Sequence, residues 1–243
     1  MATSGAKWTF KLAGLLSLAG LLSAAARATS LEITPVAVHL VPGTNATTIE
    51  VANRGGVAAA IQLRAFAWTQ DGDKDVLVPT QDIILSPPIF TLAKDGSQTI
   101  RLMLRRGAAA AGERTYRLLV DEVPRTSPSA QQVQVAMRVS LPLVVASTVA
   151  KPQALQWRAK RDAAGRVTLS ATNTGSSFDR VQTIAVTTPD GRDQAVTTSA
   201  TNSYVLAGAQ RHWLVNSAGP AKVLRLSVTT RSGKSEQILA VSQ

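Results

Sequence analysis

The sequence predicts an all-β protein of two β-sandwich domains, and three observations carry that prediction. Apolar and polar residues alternate with period two in segment after segment, turn residues punctuate the chain at short intervals, and no stretch shows the spacing of a long amphipathic helix. Successive side chains of a strand point to opposite faces, so a strand with one face in a core writes this alternation into its sequence. Of 243 residues, 45% are apolar, which supplies cores and excludes a disordered chain.

The first element is not part of the fold. Lys7 and Lys11 flank the start of an uncharged run from Leu12 to Ala26, and Ala26-Arg27-Ala28 has the small-x-small form of a cleavage site. Residues 1–28 therefore read as a secretory signal peptide, leaving no segment for membrane insertion after cleavage. Losing Lys7, Lys11 and Arg27 lowers the formal charge from +11 to +8. The remaining cations are scattered and form no nucleic-acid motif, which speaks against DNA or RNA as a partner; positive charge can also bind a carboxylate. The chain has no cysteine, so it rests on its cores and not on disulfides.

In the first half, strands are read at Leu31 to Leu40, up to Asn53, at Ala60 to Trp68, Gln98 to Leu104, Tyr116 to Val120 and Val133 to Leu141. Pro42-Gly43, Asn53-Arg54-Gly55-Gly56, Asp71-Gly72-Asp73, Ser86-Pro87-Pro88 and Lys94-Asp95-Gly96 separate them. Ala108 to Ala111, bracketed by Gly107 and Gly112, reads as loop. The second half repeats the rhythm at Gln153 to Lys160, Val167 to Thr172, Arg180 to Thr187, Ser203 to Leu206, Arg211 to Val215, Ala221 to Thr229 and Glu236 to Val241. About seven short strands per half is the strand count of an immunoglobulin-like sandwich. Lys151-Pro152 interrupts the pattern, which divides the chain into residues 29–147 and 148–243.

An enzyme needs a constellation, and none is visible. There is no cysteine nucleophile, Gly-x-Ser-x-Gly elbow, HExxH or phosphate-cradling glycine loop, and no cofactor or metal is expected. Asp121 and Glu122 are neighbours on a strand and face opposite sides, so they do not act on one atom. Asp71, Asp73 and Asp75 alternate around Gly72 but lack the distal glutamate of a calcium loop, and read as a solvated hairpin turn.

One strand stands apart. Val133, Val135, Met137, Val139 and Leu141 share one face of an alternating segment, with Gln134, Ala136, Arg138 and Ser140 on the other. Such a row either fills the domain's own core or, if it faces solvent, requires a partner. The polar segment Arg125 to Gln132 precedes it.

The signal peptide, Ser86-Pro87-Pro88, Ile100-Arg101-Leu102, the stretch Tyr116-Arg-Leu-Leu-Val-Asp-Glu-Val-Pro124 and the alternating strand to Val145 together closely resemble the PapD-like periplasmic pilus (fimbrial) assembly chaperones. The match spans nearly the whole mature chain and is strongest from Ser86 to Val145. It implies two immunoglobulin-like domains in a boomerang arrangement with a working cleft between them. It also implies pilus subunits and an outer-membrane usher as partners, a periplasmic location, and donor-strand complementation, in which the row from Val133 to Leu141 fills the groove of an incomplete subunit. The resemblance further implies a cis peptide at Ser86-Pro87 and an interface role for Glu122, whose usual partners are replaced by Ala146 and Ser217.

Members of the family anchor the subunit's C-terminal carboxylate with an arginine on the first strand and a lysine on the donor strand, and the matching positions here are Pro35 and Pro142. Neither holds an anion. If their strands are neighbours, Arg101 and Arg117 take over that role through charge-assisted hydrogen bonds; otherwise each is the outward residue of an alternating strand. Arg64 and Arg138 are lesser candidates. A displaced anchor resembles the archaic branch, whose chaperones pair with spore-coat-U-type subunits. The other function these features allow is a two-domain immunoglobulin-like adhesin or structural pilus component.

Overall fold

The computed structural model describes residues 30–105, 112–124, 135–216 and 219–243. The signal-peptide assignment, Ala108 to Ala111, Val133 and the segment Arg125 to Gln132 lie outside the described residues, as does Ser217. Among the described residues there is no helix.

The first half holds β1 (Leu31–Thr34), β2 (Val38–Leu40), β3 (Ala46–Asn53), β4 (Ala59–Asp71), β5 (Lys74–Pro79), β6 (Ile83–Ser86), β7 (Ile89–Leu92), β8 (Ser97–Leu104), β9 (Arg114–Val123) and β10 (Arg138–Val145). They form a four-stranded sheet in the order β1-β3-β8-β6 and a six-stranded sheet in the order β2-β10-β9-β4-β5, with β7 also on β4. Ile49, Val51, Ile100 and Leu102 from the first sheet meet Ile61, Leu63, Leu118, Val120, Leu141 and Leu143 from the second in one core. The alternation in the sequence is the trace of this packing, because every second residue of these strands enters the core.

Three expectations change in detail. The single edge strand from Leu31 to Leu40 is two strands in different sheets: β1 pairs with β3, and β2 runs parallel to β10. Pro35 stands between them, and a residue without an N–H cannot carry a ladder across that point. The alternating strand begins at Arg138 and runs to Val145. β5 and β6 were not foreseen, because β5 is exposed along most of its length and carries no alternation for a core to impose. The Ser86-Pro87 peptide is cis, and so is Thr34-Pro35.

The second half holds β11 (Leu155–Arg161), β12 (Val167–Asn173), β13 (Asp179–Thr187), β14 (Asp193–Gln194), β15 (Val196–Thr197), β16 (Tyr204–Val205), β17 (Gln210–Val215), β18 (Val223–Thr230) and β19 (Gly233–Ser242). The order is β14-β13-β18-β19-β11-β12-β17-β15, with β16 on β13. β11 and β19 touch through only two parallel pairs, Ala159 with Val241 and Lys160 with Ser242. That narrow joint lets the sheet close on a core of Trp157, Leu169, Trp213, Leu224 and Leu226. The fold is thus two immunoglobulin-like sandwiches.

Both halves use one device at a strand end. The buried Asn53 amide donates to the Val57 and Ala93 carbonyls and its oxygen accepts the Gly55 N–H. Asn173 does the same with Ser177, Val205 and Gly175. Gly175 admits nothing larger, since a Cβ there would lie 2.1 Å from the Pro152 carbonyl oxygen.

Candidate functional site

The apolar row divides along β10. Leu141 and Leu143 are buried in the core, and Val139 packs half-buried against it. Met137 is half-buried, and Val135 is 84% exposed. Leu141, expected in the donor row, belongs to the domain's own core. The row continues the core-facing side of β10 outward, past the point where the strand is paired.

The backbone there has an open edge. The Glu122 N–H donates to the Met137 carbonyl at 2.8 Å, and β10 pairs with β9 from Arg138 opposite Asp121 to Val145 opposite Arg114. Antiparallel strands alternate the direction of their hydrogen bonds, so Val139, Leu141 and Leu143 face β9 while Arg138, Ser140 and Pro142 turn their backbone groups to the other side. On that side β2 covers only Leu143 to Val145. Arg138 and Ser140 therefore present an N–H and a carbonyl each to an edge that carries no strand among the described residues. Pro142 is tolerated because its missing N–H falls on this edge.

The opposite face of the same sheet, which reaches the second half where Arg117 approaches the Tyr204 ring, is the floor of the expected cleft. Across β10, β9 and β4 its rungs are Arg138-Asp121-Gln62, Ser140-Leu119-Arg64 and Pro142-Arg117-Phe66. Asp121 takes two hydrogen bonds from Arg64, at 3.0 and 2.6 Å, and a third from the Arg138 Nε. Burial alone would push the Asp121 carboxyl up, but the Arg138 and Arg64 guanidiniums hold it below the usual carboxylate range. On the other face, Glu122 Oε2 accepts the Met137 N–H at 3.2 Å. The expected interface role of Glu122 is not observed. It sits at the end of β9 where β10 begins, opposite the end that meets the second half. An acid that does stand at the junction is Glu113, which accepts the Phe178 N–H at 2.9 Å and whose carboxyl is raised by burial.

The two halves meet through Trp68, Val144, Phe178, Leu206 and Ala209. Here the acidic hairpin departs from its sequence reading as a solvated turn. Asp75 accepts hydrogen bonds from Arg211 at 2.6 Å, Asn202 at 2.5 Å and Gln70 at 3.2 Å. Asp73 accepts the His212 N–H at 2.8 Å and the Ser199 hydroxyl at 3.1 Å. Arg211 is 1% exposed and also donates to the Tyr204 and Gly72 carbonyls. The hairpin is a clasp between the halves, made by partners far away in sequence.

Arg117 and Arg101 are not brought together. Arg101 is exposed on β8, between the buried Ile100 and Leu102, in the four-stranded sheet. Arg117 lies in the other sheet, on the cleft floor beside Pro142. Its guanidinium stands 3.7 Å over the Trp68 ring and 3.7 Å from Asp75, a separation too long for a hydrogen bond. Among the described residues it donates no hydrogen bond. Burial pushes its pKa down, against the pull of Asp75. A nearly buried cation with unused donors favours an incoming anion. The cations Arg64 and Arg138 are already bound to Asp121.

Comparison with known proteins agrees with this architecture. The crystal structure of the CsuC–CsuE chaperone–tip adhesion subunit pre-assembly complex, from archaic chaperone-usher Csu pili of Acinetobacter baumannii, contains a chain similar at 23% identity and TM-score 0.65, over 88% of this chain and 98% of that one. The Salmonella enterica SafA pilin–SafB chaperone complex matches at 16% identity and TM-score 0.59, over 89% and 98%. The E. coli chaperone DraB matches at 18% identity and TM-score 0.59, over 87% and 95%. No curated protein matches by sequence. The family model of the pili and flagellar-assembly chaperone PapD N-terminal domain matches residues 30–151, half of the chain. The chain belongs to the PapD family of pilus-assembly chaperones.

Proposed function

We propose that the protein is a periplasmic chaperone that captures pilus subunits by donor-strand complementation and delivers them to an outer-membrane usher. One observation carries the reading: the open backbone edge at Arg138 and Ser140, continued by the half-buried Met137 and the exposed Val135. An incomplete subunit that lacks its last strand needs both a backbone to pair with and side chains for its core. Val133, Val135 and Met137 then contribute about 1.5–3 kcal/mol each when fully buried, before the cost of ordering the segment.

The subunit's C-terminal carboxylate docks at Arg117. That guanidinium lies next to Pro142 on the cleft floor and has donors to spare, whereas Arg101 lies in the other sheet. The displaced anchor fits the archaic branch, to which CsuC, crystallised with a tip adhesion subunit, belongs.

The test is periplasmic co-expression with the subunit encoded in the same gene cluster. A soluble 1:1 complex is expected, lost in Arg117→Ala and retained in Arg101→Ala. Loss in Arg101→Ala alone returns the anchor to the other sheet. If no subunit co-purifies and the protein appears at the cell surface, the adhesin reading replaces this one.

A further inference from the structure

Donor-strand complementation fails if the donor segment presents the wrong face. Strand side chains alternate, so a one-residue slip or a half-turn at the root of the segment swings Met137 and Val135 away from the line of the core and brings polar neighbours into it. Among the described residues Val135 to Met137 lie outside any strand, and the bonds of Met137 to Glu122 are what hold them to β9.

We propose that Asp121 is a positioning residue that sets the face of the donor row, an inference that rests on the capture reading above. Arg138 is the first paired residue of β10, and its side chain is 61% exposed, so the open cleft offers it little constraint. Asp121, directly opposite and 11% exposed, holds it on the cleft side. Asp121 is in turn fixed by two hydrogen bonds from Arg64 on β4, whose guanidinium lies 5.5 Å over the Phe66 ring. The first residue of β10 is thus tied across both strands beneath it. With the Arg138 side chain held toward the cleft, alternation forces Met137 and Val135 to the opposite side, in line with Val139 and Leu141. Glu122 completes the grip from that side through the Met137 N–H. The two adjacent acids, on opposite faces of β9, clamp Met137 and Arg138, at the root of β10, from both sides.

The experiment compares the wild-type mature chain with Asp121→Asn and Asp121→Glu. Three quantities are read: amide exchange at Met137 and Val139, whose N–H groups turn toward β9, in the free protein, the capture rate for the subunit encoded in its gene cluster, and the melting temperature. Asp121→Asn is expected to speed exchange at those amides and to slow capture, each by about tenfold, while the melting temperature moves by only a few degrees. Asp121→Glu restores both. Unchanged exchange and capture in Asp121→Asn overturn the positioning role and leave the capture reading standing. Faster exchange spread evenly over β4, β9 and β10, with a matching fall in melting temperature, also overturns it, since Asp121 is then merely structural. A wild type that captures no subunit removes the capture reading, and the donor role of Asp121 with it.

Discussion

The guanidinium of Arg117 stands 3.7 Å from the centre of the Trp68 ring, and that one contact joins the cleft floor to the junction between the halves. Trp68 belongs to the apolar cluster that packs the halves together, and its ring meets Tyr204 edge-on at 5.2 Å. The candidate anchor is therefore built on the seam that keeps the cleft in shape.

Arg117→Ala is expected to weaken subunit binding by about tenfold to a hundredfold, the effect of a charge-assisted hydrogen bond at a largely buried site. Arg117→Lys keeps the charge but loses the planar fork over Trp68, and recovers only part of the affinity. Titration calorimetry with the purified subunit measures both.

Leu141 and Val135 share one face of the alternating segment and should behave oppositely. Leu141→Ala empties a buried core position and is expected to lower stability by about 2–5 kcal/mol. Val135→Ala, at an exposed position, leaves the melting curve almost unchanged and reduces capture. Paired melting and pull-down experiments separate the two roles.

This pair also marks how far the sequence could be read. Period two located most strands of both halves, because every second residue of a half-buried strand must be apolar. It did not say where the core stops along the row, since Leu141 and Val135 follow the same rule. Arg101 and Arg117 are each a lone cation between apolar neighbours, and only the sheet order, set by long-range pairing, sends them to different layers. The clasp was hidden for the same reason. Asp73 and Asp75 look like a solvated turn until His212 and Arg211, well over a hundred residues later, are placed against them. Glu113 carries no signal in the sequence, because a single acid before a strand makes no pattern.

Breaking the clasp from one side should be severe. Arg211→Ala removes a fully buried cation and leaves Asp75 with only neutral donors and the distant Arg117, at an expected cost of about 3–5 kcal/mol. Asp73→Ala, whose partners are more exposed, costs less than about 1 kcal/mol. Denaturant unfolding of each variant checks the ranking.

Two carboxyls respond to pH with opposite sign. The folded pKa of Asp121 is depressed, so its stabilising contribution is complete at neutral pH and is lost as pH falls through that value, below about 3.8. Capture should hold steady between about pH 7 and 5 and weaken only in stronger acid. The folded pKa of Glu113 is raised by burial, so its ionised form opposes folding above that value. Glu113→Gln keeps an acceptor for the Phe178 N–H and is expected to be neutral or stabilising at pH 7 and without effect near pH 4. Melting temperatures of wild type and variant across this range test the sign.

The central claim is that the open edge of β10 pairs with a subunit strand. Amide exchange at Arg138 and Ser140 in the purified complex, compared with the free protein, tests it most directly. Strong protection at both amides, alternating with smaller changes at Val139 and Leu141, which already face β9, is the predicted result. Unchanged exchange at Arg138 and Ser140 in a saturated complex contradicts the claim, because the subunit would then be held somewhere other than this edge.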